Sequence, residues 1–194
     1  RLSIKIRVLF FMELIKQNTQ TRIFKSLIVI FLGSILLAIS AKIKIPFYPV
    51  PMTMQTFVVL FLGLSFGYKI GLATVSLYLI EGIIGLPVFS NSPERGVGLA
   101  YFTGPTMGYL IGFLFACFFA SFIKSDDNYF TIFIKLILSV SIIYILGIVW
   151  LGSIIGWENP LIKLGVAPFL LAEIFKIFLL TFLSKKILRF RKFI

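Results

Sequence analysis

Two opposite charges lie three residues apart in an otherwise apolar stretch. Glu173 and Lys176 interrupt the sequence LLAEIFKIFLLTF, residues 170–182. In a helix, positions i and i+3 share one face, so the two charges can partly offset each other. A charge deep in a bilayer costs roughly 2.5 to 3.5 kcal/mol, so the pair indicates either a functional site or an ion pair that fixes helix packing. A functional pair would suit a small organic acid that also carries N–H groups.

Three further polar residues are candidates for the same site. Glu81, in LYLIEGIIGLPVFSN, is a second membrane-embedded acid, which could face the cavity, bond a neighbouring helix or be protonated. Asn91 follows Pro87, which should end the third span, so its amide is expected in a short outer connection. Gln55 begins the second span and could point its amide into the pocket or bond another helix.

Several kinds of chemistry are disfavoured by what the sequence lacks. It contains no histidine and a single cysteine, Cys117, so His-ligated zinc and disulfides within one chain are excluded. It contains no GxxxxGK[ST] phosphate loop, no HExxH and no serine elbow. We therefore expect no metal, no cofactor and no ordinary hydrolase activity.

The elements that must position these residues are membrane-spanning helices. Hydrophobic residues make up 59% of the 194, and the mean hydropathy is +1.06, far above soluble domains. The sequence predicts an all-α integral membrane protein, with a basic interfacial or disordered segment at 1–22 and a six-transmembrane-helix bundle at 23–194. The six predicted spans are 24–41, 53–68, 70–89, 105–123, 131–154 and 166–184.

The distribution of Lys and Arg predicts the orientation of this bundle. Fourteen lie before the first span, after the last span, or near the loops on that side, and four lie near the opposite loops. By the positive-inside rule, both termini should be cytoplasmic. The net charge of +12 is therefore interpreted as loop topology and not as nucleic-acid binding.

The segment KIKIPFYPVPMTMQTF, residues 42–57, contains three prolines and cannot be a regular helix. An apolar extended segment between two spans is tolerated only when it is buried in protein or lines a cavity. We interpret it as a lid over an outward-facing pocket. On the first span, Ser34 and Ala38 are small residues four positions apart, a spacing that lets helices approach closely.

Three stretches of this sequence resemble the BioY proteins, the biotin-specific substrate-binding components of energy-coupling-factor transporters. They are IPFYPVPMTMQTF, YLIEGIIGLPVF and GPTMGYLIGF, followed by the acid-x-x-Lys pattern of the last span. The match runs in order over about residues 30–185. It implies a multi-pass protein of the bacterial cytoplasmic membrane that captures biotin and is energised by a membrane coupling subunit and two ATP-binding-cassette ATPases.

The resemblance also implies roles for individual residues. Glu173 and Asn91 would contact the ureido ring of biotin, and Lys176 or Arg95 would neutralise its carboxylate. The acid of the charged pair is more usually Asp in this family.

Other positions match family motifs that border the cavity or contact the partner. Tyr109 and Gln55 fall in motifs at the cavity, and Glu81 is kept as a further candidate for substrate binding. Small residues of the first span contact the coupling subunit in this family, which assigns that role to Ser34 and Ala38.

Three alternatives remain open from the residues themselves. The ligand could be another vitamin, such as riboflavin or thiamine, bound by a component of the same transporter class. The chain could instead be an intramembrane lipid-modifying enzyme with Glu81 or Glu173 as general base. It could also be a structural membrane protein in which the charges only set the helix register.

Overall fold

The computed structural model describes the backbone of residues 4–193 and the side chains of residues 19–193. Helices dominate it. The α-helices and strands in chain order are α1 Ile4–Lys42, β1 Lys44–Ile45, β2 Met52–Thr53, α2 Gln55–Ile83, α3 Leu99–Phe102, α4 Met107–Ala120, α5 Tyr129–Ile155, α6 Leu161–Gly165 and α7 Leu170–Ile187. Single 3-10 segments at Ala167–Phe169 and Leu188–Phe193 flank α7.

Four helical segments of the described residues are long and apolar enough to cross a membrane. They are Thr19–Lys42, Gln55–Ile83, Tyr129–Ile155 and Leu161–Phe193; α4 is apolar but shorter, with 14 residues. The chain is therefore a multi-pass helical membrane protein. The six-span count and the orientation of the termini stay predictions.

The helix α2 reverses direction in its middle, at Gly67. This glycine has φ 76° and ψ 179°, a backbone conformation that is essentially restricted to glycine. A Cβ added at Gly71 would lie 3.4 Å from the Gly63 Cα, although eight residues of straight helix would separate them by about 12 Å. The amide of Gln55 likewise lies 2.7 Å from the Tyr78 hydroxyl. The two halves of α2 therefore pack against each other as an antiparallel pair.

The helices α4 and α5 pack closely through glycine. A Cβ added at Gly112 would lie 2.7 Å from the Ile143 Cα, and one added at Gly108 would lie 2.4 Å from the Leu146 carbonyl oxygen. Such small residues allow membrane helices to approach at the backbone. The bundle core lies among α2, α4, α5 and α7, with Tyr78, Leu136 and Leu180 fully buried in it.

The Pro-rich segment, residues 42–57, folds back on itself, and we call it the hairpin segment. The end of the bundle at which it lies is the hairpin end. The strands β1 and β2 pair antiparallel, Lys44 opposite Thr53 and Ile45 opposite Met52. The predicted third span ends earlier than expected, at Ile83, because Gly85 with φ 101° leaves the helix. The apolar residues after it form a loop, and Phe89 is a buried core residue at 1% exposure.

Three cations connect the hairpin segment to that loop. Lys42 Nζ donates to the carbonyl oxygens of Phe89 (2.8 Å) and Ser92 (2.7 Å). In the reverse direction, Arg95 donates to the carbonyl oxygen of Pro49 at 2.9 Å. Lys44 Nζ makes the third link, to the Ser90 carbonyl oxygen at 2.7 Å. These bonds fix the two connections to each other above the ends of the helices.

The predicted N-terminal segment is continuous with the first span in the backbone. Helix α1 begins at Ile4, so no break separates residues 4–22 from the span. Residues 1–3 of the predicted segment lie outside the described residues. Its interfacial position stays a prediction.

Candidate functional site

A cavity of about 520 Å³ lies inside the hairpin end of the bundle. Its walls come mainly from the hairpin segment, α2, α4, α5, the 3-10 segment Ala167–Phe169 and α7. The lining residues that the following paragraphs use are Thr53, Gln55, Thr56, Tyr101, Tyr109, Tyr144, Phe169 and Glu173.

The predicted charged pair is formed and buried. Lys176 Nζ lies 2.7 Å from Glu173 Oε1, and each residue is 4% exposed. Lys176 also donates to the Thr53 carbonyl oxygen at 2.6 Å and to Thr56 Oγ1 at 2.9 Å. An ammonium has three donors. All three are therefore used within the protein, and Lys176 has none left for a ligand in this arrangement.

The two oxygens of Glu173 have different surroundings. Oε1 accepts from Lys176 and from the Thr56 hydroxyl, the latter at 2.8 Å. Oε2 is buried and accepts no well-formed hydrogen bond from the described residues, although the Tyr144 hydroxyl lies close enough to interact with the carboxylate. A buried acceptor without a donor is costly, and Glu173 lines the cavity. The site therefore offers a carboxylate oxygen to a ligand that carries N–H or O–H donors.

Gln55 and Tyr109 line the same cavity, as the resemblance implied. Gln55 Nε2 donates to the Tyr78 hydroxyl at 2.7 Å, and its Oε1 accepts from the Thr53 hydroxyl at 3.2 Å. The Tyr109 hydroxyl donates to the Gly165 carbonyl oxygen at 2.9 Å. Both polar groups therefore have protein partners, which hold their side chains in place at the cavity wall.

Aromatic rings form an apolar wall beside the carboxylate. Tyr144 packs edge-on against Tyr109, with ring centroids 6.0 Å apart, and stacks on Phe169 at 6.1 Å. Phe47 of the hairpin segment meets Phe169 edge-on at 6.0 Å. A planar or ring-shaped apolar group would fit against this wall.

Asn91 and Arg95 do not line the cavity that contains Glu173. They line a smaller adjoining pocket of about 210 Å³, which shares Tyr101 and Thr106 with the first. The oxygen of the Asn91 side chain accepts from Lys44 Nζ at 2.9 Å. The Arg95 guanidinium also lies 5.5 Å from the Tyr48 ring. This pocket therefore combines an amide with a cation.

Glu81 and Ser34 contact each other away from the cavity. Ser34 Oγ donates to Glu81 Oε1 at 2.9 Å, so Glu81 makes the helix-to-helix bond that the sequence left open as an alternative. Ser34 is fully buried in the chain, and its contact with a coupling subunit stays a prediction. Ala38 is half-buried against the core, beside the exposed apolar face of α1.

Sequence reasoning missed Thr56, Tyr144 and Phe169 as members of the site. Thr56 connects both charges of the pair, and Tyr144 lies within electrostatic reach of Glu173. A hydroxyl in a membrane span is a usable signal, because it needs a partner there. Phe169 carries no such signal, since it is one of 23 phenylalanines in an apolar chain.

The fold and this site define a class of protein. A multi-pass helical bundle encloses a cavity that offers one carboxylate oxygen, an aromatic wall and an adjoining cationic pocket. These features are those of a membrane protein that binds a small polar molecule.

Comparisons with known proteins define the family. The model of the BioY family matches residues 14–193, so the chain belongs to the BioY family. It is 36% identical over 151 residues to the probable biotin transporter BioY of Pyrococcus horikoshii, covering 78% of this chain and 87% of that protein. It is 33% identical to the biotin transporter BioY2 of Lactococcus lactis, covering 89% and 93%.

A solved structure shares the fold. The crystal structure of the S-component for biotin from an ECF-type ABC transporter superposes with a TM-score of 0.72 at 26% identity, covering 87% of this chain and 93% of that one. The family resemblance that the three sequence stretches and the charged pair predicted is therefore confirmed.

Proposed function

We propose that this protein binds biotin with high affinity and is the substrate-binding component for its uptake through an ECF-type ABC transporter. The observation that carries the proposal is the unpartnered Glu173 Oε2 in the cavity of a BioY-family chain. Biotin combines a ureido group with two N–H donors, an apolar thioether ring and a carboxylate. Its ureido donors match the free carboxylate oxygen, and its rings match the aromatic wall.

The ureido group accordingly contacts Glu173, and Lys176 acts on the ligand through Glu173. Lys176 has all its donors committed, one of them to Oε1. It therefore orients the carboxylate while the other oxygen accepts from the ligand. Thr56 completes this arrangement by bonding the same Oε1.

The carboxylate of biotin is directed to the adjoining pocket. Arg95 is the cation there, and its one protein hydrogen bond among the described residues goes to a backbone carbonyl, so no acid neutralises it. Asn91 lies in the same pocket and contacts this end of the ligand instead of the ureido end. Of the two cations that the sequence left open, the geometry favours Arg95 over Lys176.

The chain crosses the bacterial cytoplasmic membrane six times, with both termini in the cytoplasm. The reversal at Gly67 supports this count, because it divides α2 into two crossings; α1, α4, α5 and α7 supply the others. A membrane coupling subunit and two ABC ATPases energise uptake, and the coupling subunit contacts the exposed apolar face of α1 near Ala38. The protein itself is a transport component and not an enzyme.

A calorimetric titration with biotin tests the proposed site, using two matched variants. Glu173→Gln replaces the free acceptor by an amide, and Glu81→Gln makes the same change in an acid outside the cavity. A hydrogen bond to a charged group contributes about 1.5 to 3 kcal/mol, so Glu173→Gln should weaken binding about ten- to a hundredfold. Glu81→Gln should bind as the parent chain does.

Two results would contradict this function. Absence of any heat with biotin, together with tight binding of riboflavin or thiamine, would assign the cavity to another vitamin. Equal weakening by both substitutions would show that the effect is on the bundle and not on the ligand contact.

A further inference from the structure

A second polar feature lies at the opposite end of the bundle from the cavity, and the biotin site does not account for it. The connection between α4 and α5, the end of α7 and the 3-10 segment Leu188–Phe193 enclose an open pocket of about 1,060 Å³. Five cations and one acid line this basic pocket: Lys124, Lys185, Arg189, Arg191, Lys192 and Asp126.

Two of the five cations build the wall of the basic pocket. Arg191 donates to the carbonyl oxygens of Leu64 at 2.9 Å and Ser121 at 2.7 Å, which ties the C-terminal segment to the ends of two other helices. Lys185 Nζ donates to two carbonyl oxygens of the α4–α5 connection. Because these acceptors are carbonyls, the positive charges of Arg191 and Lys185 are not neutralised.

The other three cations have uncommitted side chains. Among residues 19–193, Lys124, Arg189 and Lys192 make no side-chain hydrogen bond or ion pair, and all three are exposed. The neighbouring Asp127 pairs with Lys135 at 2.6 Å; it also accepts from the backbone N–H of Lys124 and partly offsets the charge of that lysine, while Arg189 and Lys192 face no such acid among the described residues. The pocket thus presents three cationic side chains whose donors are free, and it holds five positive charges against the single acid Asp126. An anion with several oxygens, such as a phosphate, is the chemistry that it suits.

Exposed aromatic side chains place this pocket beside the hydrocarbon region. Phe122 and Phe190 are each 51% exposed and lie within two positions in sequence of residues that line the pocket. Phe130, on the adjoining first turn of α5, is 73% exposed. Aromatic residues at helix ends mark the membrane interface. A phosphate in the basic pocket would therefore have apolar side chains next to it, as the phosphate of a phospholipid requires.

We propose that the basic pocket binds the headgroup phosphate of an anionic phospholipid. Lys124, Arg189 and Lys192 contact the phosphate oxygens, Arg191 and Lys185 hold the pocket open, and the acyl chains lie along the exposed aromatic rings. The proposal concerns a site separate from the cavity and does not depend on which vitamin the cavity binds.

Lipid binding to the purified full-length chain tests this directly. Native mass spectrometry in detergent would measure retained phosphatidylglycerol against phosphatidylcholine, for the parent chain and for Arg189→Gln. A cation near an anionic lipid surface contributes about 1 kcal/mol, so Arg189→Gln should weaken phosphatidylglycerol binding about fivefold. Replacing all three free cations by Gln should weaken it by about a hundredfold, with phosphatidylcholine unchanged.

A matched control and a second anion make the test decisive. Lys69 is exposed beside the Gly67 reversal, at the same end of the bundle but outside the pocket, so Lys69→Gln removes one charge and should leave lipid binding unchanged. Equal losses in Lys69→Gln and Arg189→Gln would overturn the proposal in favour of a diffuse surface charge. Inorganic phosphate that competes at the same concentration as phosphatidylglycerol would overturn the assignment to a lipid.

Discussion

Removing the ammonium of the buried pair should damage stability and biotin binding in separable ways. In Lys176→Met, the new side chain is apolar and of similar length, and it borders an apolar groove that Phe57 and Leu179 also line. Glu173 is left buried, with the Thr56 hydroxyl as its remaining donor. Breaking a buried pair by removing one partner costs about 3 to 5 kcal/mol, because the other charge loses its compensation.

The double variant Lys176→Met with Glu173→Gln removes both charges. Replacing both members of a buried pair is often neutral or stabilising, so the double variant should recover most of the stability that the single variant loses. It should not recover biotin binding, because the acceptor oxygen at Glu173 is no longer a carboxylate. The single variant should bind biotin weakly, since its carboxylate has lost the ammonium that orients it.

A double-mutant cycle on thermal unfolding, paired with biotin calorimetry, measures both effects. Lys163→Met, at an exposed lysine, controls for loss of charge alone. Strictly additive destabilisation by the two substitutions would show that Glu173 and Lys176 are not energetically coupled. Parent-like biotin affinity in the double variant would refute the role of Glu173 as ligand acceptor.

Three further outcomes follow from particular residues. Arg95→Gln should weaken binding of biotin about tenfold, as loss of a charge-assisted hydrogen bond does, but should not weaken binding of the methyl ester of biotin. Equal loss of affinity for both ligands in calorimetry would show that Arg95 does not contact the carboxylate. Gly67→Ala should lower stability by about 1 to 3 kcal/mol in thermal unfolding, because its φ of 76° is strained for any residue with a Cβ and no atom lies within 4 Å to clash; unchanged stability would mean that the reversal does not need this conformation. For Asp127, partial burial raises the pKa of the carboxyl, but the backbone N–H of Lys124 and the ammonium of Lys135 outweigh it and lower that pKa below the ordinary 3.8. The ionised carboxylate therefore stabilises the fold above the ordinary pKa, and this contribution is lost as pH falls through the lowered value; Asp127→Asn should reduce stability at neutral pH and remove this acid-dependent part, and parallel pH profiles of the two chains would contradict it.

The sequence predicted the spans well where the apolar run had clear ends. The predicted 24–41 and 131–154 lie within the observed Thr19–Lys42 and Tyr129–Ile155. It failed at the end of the third span. Apolar residues continue to Phe89, but the helix ends at Ile83, because composition does not distinguish a lipid-facing residue from a ring that fills the core. The predicted 166–184 lies within the helical segment Leu161–Phe193, although a 3-10 turn at Ala167–Phe169 interrupts that segment before α7.

The candidate site was predictable where a residue type is costly in a membrane. Glu173 and Lys176 were found because two charges in an apolar helix need a reason, and the structure places both at the cavity or directly behind it. The separation of Asn91 from Glu173 could not be read from the sequence. It depends on how the loop after Ile83 folds against the hairpin segment, and that contact is made by lysines donating to backbone carbonyls.

The need for two opposite charges in one apolar helix follows from how their bonds are divided. All three donors of Lys176 bond to the protein, one of them to Glu173 Oε1. The two charges therefore offset each other in the buried environment without a hydrogen bond to Oε2. A lone carboxylate at this depth would lack a counter-ion, and a carboxylate paired through both oxygens would have no free acceptor for a ligand. In this arrangement Lys176 bonds only to the protein, which is why the proposed contact with the carboxylate of biotin falls to another cation.

Those cations lie at the hairpin end. Lys42, Lys44 and Arg95 donate to backbone carbonyl oxygens, and Lys44 donates also to the amide oxygen of Asn91, so none of these bonds neutralises their charge. Glu94 partly offsets Lys42, but three cations against this one acid leave a positive excess that attracts a small organic anion. The same bonds that hold the two connections together thus favour the orientation proposed for biotin, with its carboxylate toward the hairpin end and its ureido group toward Glu173.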